Sequence, residues 1–107
     1  MFDAIYQLGD SISDTGNLIR GNPNTPFCHL PYGQSFFNNP TGRCSNGSLM
    51  LDYLALDAGL PLVIPYLKKD ALMNYGINFA VAGSTTLSIE YLSTKKLLSP
   101  EFLVYCK

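Results

Sequence analysis

Hydrophobic residues occur in short clusters along the chain, and glycine, proline or polar residues bound each cluster. The first cluster, at residues 4–8, precedes a Gly-Asp pair and predicts a buried strand that ends in a tight turn. Residues 11–19 have the features of a helix start, because Ser11 stands three residues before Asp14 as in a capping box. We therefore expect a strand, a turn and a helix in that order.

A second helix is predicted over residues 49–56, where apolar side chains recur at helical spacing. Ser48 is a candidate cap for its first turn, and Gly59 and Pro61 are expected to end it.

Two further apolar clusters contain β-branched residues and predict strands at residues 62–64 and 77–82, the second closed by Gly83. A last helix is predicted over residues 90–98. Strands that alternate with helices predict an α/β fold built on a parallel sheet, of which two or three strands are visible.

Residues 20–47 are rich in Pro, Asn and Gly and are too interrupted for a long regular element. Loops of this length inside a domain tend to be functional, so we expect this one to border a site. Its aromatic residues could line a pocket for an acyl or alcohol group or belong to the core; they include Tyr32, Phe36 and Phe37.

The composition of the chain excludes several classes of function. The chain has 107 residues, 47% of them hydrophobic and 14% charged, which suits one folded domain and not a disordered segment. The formal net charge is -1, without a basic stripe, so nucleic acid is not an expected partner. Apolar runs are too short to span a membrane, and the first residues do not have the profile of a signal peptide.

The three cysteines lack the paired spacing of a zinc site, and no metal is expected. A bridge between Cys28 and Cys44 would tie down the long loop, whereas a reducing compartment would leave all three thiols free. Both alternatives stay open. If Cys106 is paired, its partner lies outside this chain.

Ser11 is the strongest candidate for chemistry, because it lies where a strand passes into a helix and its hydroxyl would be close to helix amides. Such amides can stabilise an oxyanion. The flanking residues do not form the GxSxG elbow of α/β-hydrolases. By itself this serine could equally cap the helix.

Three motifs occur in order along the chain: GDS with SDTGN at 9–17, LPYGQ with PTGRCSNG at 30–47, and GINFAVAGS at 76–84. Together they resemble the GDSL, or SGNH, family of ester hydrolases and in particular its plant branch. Three matches in order are far more specific than a lone GDS tripeptide.

The resemblance implies a serine esterase or lipase that needs no cofactor and acts on a small-molecule ester. Ser11 would be the nucleophile, and its amide and that of Gly83 would form part of the oxyanion hole. The implied fold is a doubly wound, flavodoxin-like three-layer sheet, and residues 1–107 would be its N-terminal part. The implied location is secretory or extracellular.

The resemblance also implies a further oxyanion Asn and an Asp and His pair downstream, and we find none of these in the matching places. The chain alone is therefore expected to be nearly inert, because a serine needs a base to become nucleophilic. One alternative is a truncated, non-catalytic product or an incomplete gene model, without esterase activity of its own. Another is a receiver-like or flavodoxin-like binding domain, in which Asp10 would accept a phosphoryl group or bind a metal.

Other polar residues have plainer expected roles. His29 is the only histidine, and we expect it in the loop or at the substrate rim rather than paired with Ser11. Asp10 is expected to bind turn amides. Asn17 and Asn78 are expected to hold loops near the site.

Residues 46–48, Asn-Gly-Ser, form an N-glycosylation sequon. It would be used only in the secretory pathway, and Ser48 could instead serve as a helix cap.

Overall fold

Two short parallel strands form the sheet. In the computed structural model, which describes residues 1–96, β1 (Ile5–Gln7) pairs with β2 (Gly76–Asn78), and Tyr6 lies opposite Ile77. A parallel pair requires a crossover between its strands, and here the crossover carries helices. The architecture is α/β, as the alternation of strands and helices predicts.

The helices are short and separated by irregular chain. The crossover contains α1 (Asn17–Gly21), a 3-10 helix (Pro26–Cys28) and α2 (Met50–Asp57), and α3 (Ile89–Thr94) follows β2. Ser88 caps α3 by accepting a hydrogen bond of 3.2 Å from the Tyr91 amide. Residues 97 and 98 of the predicted last helix lie outside the described residues. None of the helices within residues 1–96 has the length and apolar character needed to cross a membrane.

The predicted strand at 62–64 is wrong. The chain reaches the sheet there only through an isolated parallel bridge between Pro65 and Asn78. The Asn78 amide donates to the Ile64 carbonyl at 2.8 Å, and the Tyr66 amide donates to the Asn78 carbonyl at 2.9 Å. The ladder does not continue past this bridge, because the Gly76 amide donates to the Met73 carbonyl at 3.4 Å and the Lys68 amide donates to the Pro65 carbonyl at 3.0 Å.

The two other strand predictions are correct in place and wrong in extent. β2 ends at Asn78 rather than at residue 82, although the Phe79 amide still donates to the Gln7 carbonyl at 2.8 Å. β1 is not buried, because the Tyr6 side chain is 71% exposed. β2 lies between β1 and the Pro65 bridge, which explains why all three of its residues are buried.

The capping box expected at Ser11 and Asp14 is absent from the described structure, and α1 begins later, at Asn17. Residues 11–13 form a turn instead. The Asp14 carboxylate takes over the capping, because it accepts hydrogen bonds from the first amides of the helix, at Asn17 (2.6 Å) and Leu18 (3.1 Å).

The helix predicted over residues 49–56 is confirmed as α2, but Ser48 does not cap it. The residue before the helix is Leu49, whose amide donates to Asp52 Oδ2 at 2.8 Å. A carboxylate in the first turn also favours the positive end of the helix dipole. The helix ends as predicted next to Gly59, which has a φ of +70° that favours glycine.

The apolar core includes a small cluster formed by Leu51, Ala55 and Val63, with Ile5 of β1 packed against it. The outer face of α2 is open, and the Tyr53 side chain is 61% exposed. Some of the apolar side chains that predict α2 are therefore exposed and do not belong to this cluster.

A buried ion pair attaches the long loop to α2. Arg43 Nε and Nη2 donate to the two carboxylate oxygens of Asp52 at 2.9 and 2.7 Å, and both side chains are buried. Arg43 also lies 4.2 Å above the Phe36 ring and donates to Thr41 Oγ1 at 2.8 Å. The loop is therefore anchored through charge and not through apolar packing alone.

Replacing Asp52 with Asn is expected to loosen this anchor. It leaves the buried guanidinium without a counter-charge, which costs about 3 kcal/mol or more. Amide hydrogen exchange at Ala55 should show a loss of protection of roughly 100-fold. Asp57→Asn, at the exposed end of the same helix, is the matched control and should change little. Equal protection in the two variants would contradict this account.

Candidate active site

Ser11 lies in the turn that follows β1 and is half-buried. The Asp10 carbonyl accepts from the amides of Ser13 and Asp14 at 3.1 and 3.0 Å, and Asp10 Oδ1 accepts from the Ile12 amide at 3.0 Å. The expectation that Asp10 binds turn amides is confirmed. Its bonds hold the chain on both sides of Ser11.

Gly83 lies in a second turn, beyond β2. The Ser84 amide donates to the Val81 carbonyl at 2.9 Å, and Gly83, third in this turn, has a φ of +88°. A positive φ at that position is typical of a type II turn and favours glycine.

Two hydrogen bonds join the turns. The Val81 amide donates to the Gly9 carbonyl at 3.2 Å, and the Ala82 amide donates to Asp14 Oδ2 at 2.8 Å. Ser11 and Gly83 therefore lie in neighbouring turns at the same end of the sheet. Within residues 1–96, the amides of both residues donate to no protein acceptor.

Asp14 is the centre of a buried polar network. Its side chain is fully buried and accepts hydrogen bonds from Gly16 at 2.8 Å, from Ala82, and from the first residues of α1. Several amide donors compensate the burial of a carboxylate. The same group therefore starts α1 and holds the Gly83 turn.

Asn17 connects α1 to β2 and to two neighbouring segments of backbone. Its Nδ2 donates to the carbonyls of Asn78 and Ala80, both at 2.8 Å, and its Oδ1 accepts from the Leu67 amide at 3.0 Å. One amide side chain thus joins three separate stretches of backbone.

Asn78 connects β2 to the segment that precedes α1. Its Nδ2 donates to the Ser13 carbonyl at 2.6 Å and to Thr15 Oγ1 at 3.0 Å, and its Oδ1 accepts from the Ala80 amide at 2.9 Å. No buried side-chain nitrogen or oxygen in the described part of the chain lacks a partner. The structural roles expected for Asn17 and Asn78 are confirmed.

A surface depression of about 540 Å³ adjoins both turns. Asp10 borders it from the Ser11 turn, and Ser84 borders it from the Gly83 turn. The other residues lining the depression are Leu8, Gly9, Phe79, Thr85 and Thr86. Its wall therefore combines apolar side chains with hydroxyl groups.

Cys28 and Cys44 are free thiols in the structure, so the alternative of a bridge between them is not borne out. Cys28 Sγ lies 3.9 Å from Thr25 Oγ1. Burial, followed by the negative charges of Asp14 and Asp10, raises the pKa of the Cys44 thiol from 9.0 to about 11. Cys106 lies outside the described residues.

The candidate residues of the long loop differ in their exposure to solvent. His29 is exposed at the end of the 3-10 helix, as expected of a loop residue. Phe36 is buried under Arg43, Phe37 is 84% exposed, and Tyr32 packs edge-on against Phe27 at 4.9 Å. None of these aromatic residues lines that depression, whose lining also does not include Ser11 or Gly83 themselves.

The sequence analysis missed the pairing of Arg43 with Asp52. A signal was available, since Arg20 and Arg43 are the only charged residues between positions 20 and 47. Asp52 likewise interrupts the apolar positions of α2. A lone charge among uncharged neighbours is a useful indication of a buried partner.

Comparison with known proteins identifies the family. The sequence profile of the GDSL-like lipase/acylhydrolase family matches residues 5–102, which is most of the chain. The chain belongs to this family, as its three motifs indicate.

Plant esterases are among its relatives. Acetylajmalan esterase 1 of Rauvolfia serpentina is 53% identical over 97 residues, covering 88% of this chain and 26% of the relative. A second acetylajmalan esterase of that plant is 52% identical, covering 88% of this chain and 25% of the relative. A GDSL esterase/lipase of Arabidopsis thaliana is 44% identical over 103 residues, 90% of this chain and 28% of the relative.

The chain spans about a quarter of the length of these curated relatives. The similarity of residues 2–17 to acetylajmalan esterase, visible in the sequence, agrees with these matches. No solved structure matches the chain significantly.

Asn17→Asp tests the polar network. The change replaces the Nδ2 donor with an oxygen that faces two carbonyl oxygens. We therefore expect the free energy of unfolding to fall by about 2 kcal/mol or more. Hydrogen exchange of the Asn78 backbone amide, which donates to the Ile64 carbonyl, should become faster as a result. Asn74→Asp is the control, because Asn74 is exposed just before β2. Unchanged exchange in Asn17→Asp would show that the network is not needed.

Cys44 should react slowly with iodoacetamide. At pH 8, a pKa of about 11 gives about 100-fold less thiolate than a pKa of 9.0, and higher nucleophilicity offsets roughly half of this on a logarithmic scale. Labelling should therefore be about tenfold slower than in the urea-unfolded chain, and should accelerate up to pH 11. A pH midpoint at or below 9.0, measured by peptide mass spectrometry, would contradict this environment.

Proposed function

We propose that this chain is the N-terminal part of a single-domain carboxylic ester hydrolase that acts through an acyl-enzyme on Ser11. Family membership supports the reaction class. The observation that carries the residue assignment is a pair of amides, at Ser11 and Gly83, that have no acceptor among the described residues and lie in two turns joined by hydrogen bonds. In the complete protein we expect the sheet to be doubly wound.

In the proposed reaction, Ser11 Oγ attacks the ester carbonyl carbon while a base takes the hydroxyl proton. Negative charge then develops on the carbonyl oxygen, where the Ser11 and Gly83 amides would donate hydrogen bonds. Collapse of the tetrahedral intermediate breaks the ester C–O bond, and the alcohol leaves with a proton. Water then releases the acid from Ser11 in the same way.

We assign no base within the described residues. His29 lies on the exposed loop surface, and Asp10 is bound to its own turn. The family resemblance instead implies an Asp and His pair and a further oxyanion Asn from downstream sequence. The two turns would thus supply the nucleophile and part of the oxyanion hole.

The depression beside the turns is the proposed place for the substrate. Leu8 and Phe79 would contact apolar parts of the ester, while Ser84 and the following threonines offer hydrogen bonds. The names of the Rauvolfia relatives describe esterases of acetylajmalan. By analogy we propose a short acyl ester as substrate, and by family resemblance a secretory location.

A chimaera tests the assignment. Residues 5–102 would replace the matching segment of acetylajmalan esterase 1, which supplies the remaining sequence. Hydrolysis of p-nitrophenyl acetate should be retained, and Ser11→Ala should lower kcat/KM at least about 1000-fold, because the nucleophile is lost.

Ser13→Ala is the matched control, since Ser13 is half-buried in the same turn and contributes its backbone to the fold. It should retain kcat/KM within about threefold. Undiminished hydrolysis in Ser11→Ala would refute the nucleophile. A folded chimaera without hydrolysis would favour the non-catalytic alternative.

A further inference from the structure

We propose that Asn46 is an acceptor site for an N-linked oligosaccharide. Residues 46–48 are the only sequon in the 107-residue chain. The nearby Asn39 and Thr41 have the right spacing, but Pro40 between them excludes modification. The long loop therefore contains one acceptor and one natural non-acceptor.

The structure leaves Asn46 accessible. The residue is exposed, while hydrogen bonds on both sides of it hold the backbone in place, and two of them are closest to Asn46. The Ser35 amide donates to the Asn46 carbonyl at 2.6 Å, and the Gly47 amide donates to Ser45 Oγ at 3.0 Å. A glycan on this side chain would extend into solvent without breaking either bond.

The hydroxyl of the sequon is also free of a competing role. The sequence allowed Ser48 to be the cap of α2, but Asp52 serves the Leu49 amide instead. Within residues 1–96, the Ser48 hydroxyl has no protein partner. Both side chains that define the sequon are thus unused by the fold.

The transfer needs a donor of known chemical class, a lipid-linked oligosaccharyl diphosphate. The Asn46 amide nitrogen forms a bond to the anomeric carbon of the first sugar, and the bond between that carbon and the diphosphate oxygen breaks. The nitrogen loses one proton, and the lipid diphosphate leaves. No oxidant or reductant is required. This site is independent of the chemistry proposed for Ser11.

The experiment uses the whole chain, translated with endoplasmic reticulum microsomes. A cleavable leader directs it into the lumen, and an appended C-terminal tag carries its own sequon as a marker of entry. Glycans are counted from the gel shift reversed by an amidase that removes N-linked sugars. The same digestion is repeated in water enriched in the heavy oxygen isotope. It converts the glycosylated asparagine to an isotope-labelled aspartate, which peptide mass spectrometry locates.

We expect the wild type to carry one glycan more than the tag alone. Asn46→Gln and Ser48→Ala should each lose that glycan, whereas Ser48→Thr should keep it. Asn39→Gln and Ser45→Ala are matched controls from the same loop and should keep it as well. A wild-type chain glycosylated only on its tag, or a label located at a residue other than Asn46, would overturn the proposal.

Discussion

The burial of the Asp14 carboxylate is the constraint on which the rest of the structure depends. A fully buried negative group must be matched by donors, and here backbone amides from α1 and from Ala82 provide them. These donors belong to segments nearly seventy residues apart in sequence. Satisfying one side chain therefore starts a helix and ties the Gly83 turn to the segment that follows the Ser11 turn.

Polar contacts therefore connect much of the interior within residues 1–96. Asn17 of α1 donates to the Asn78 carbonyl of β2, and the Asn78 side chain donates to Ser13 and Thr15 in the segment before α1. Arg43 pairs with Asp52 to attach the long loop. Each group is fully partnered, which is the condition for such networks to specify one arrangement. In contrast, the apolar cluster around Leu51 is small, and much of α2 faces outward.

The relation between the two turns gives a physical basis for the proposed chemistry. An oxyanion site needs donors that are fixed before the reaction and not already used by the protein. Within residues 1–96 the Ser11 and Gly83 amides donate to no protein acceptor, while the hydrogen bonds next to them, at Gly9 and Ala82, hold the turns. The polar network thus supports the site without occupying it.

Local sequence determined the parts of the protein that depend on near neighbours. The apolar spacing of α2, its end at Gly59 and the motif residues around Ser11 were all predictable, because propensity, turn chemistry and motif spacing are local properties. Tertiary structure decided the rest. Asp14 replaced Ser11 as a cap and Asp52 replaced Ser48, because each carboxylate is also bound by a partner from elsewhere in the chain, Ala82 for Asp14 and Arg43 for Asp52. Residues 62–64 formed no strand, and the chain meets the sheet there only through one bridge at Pro65, because the neighbouring amides donate to other carbonyls.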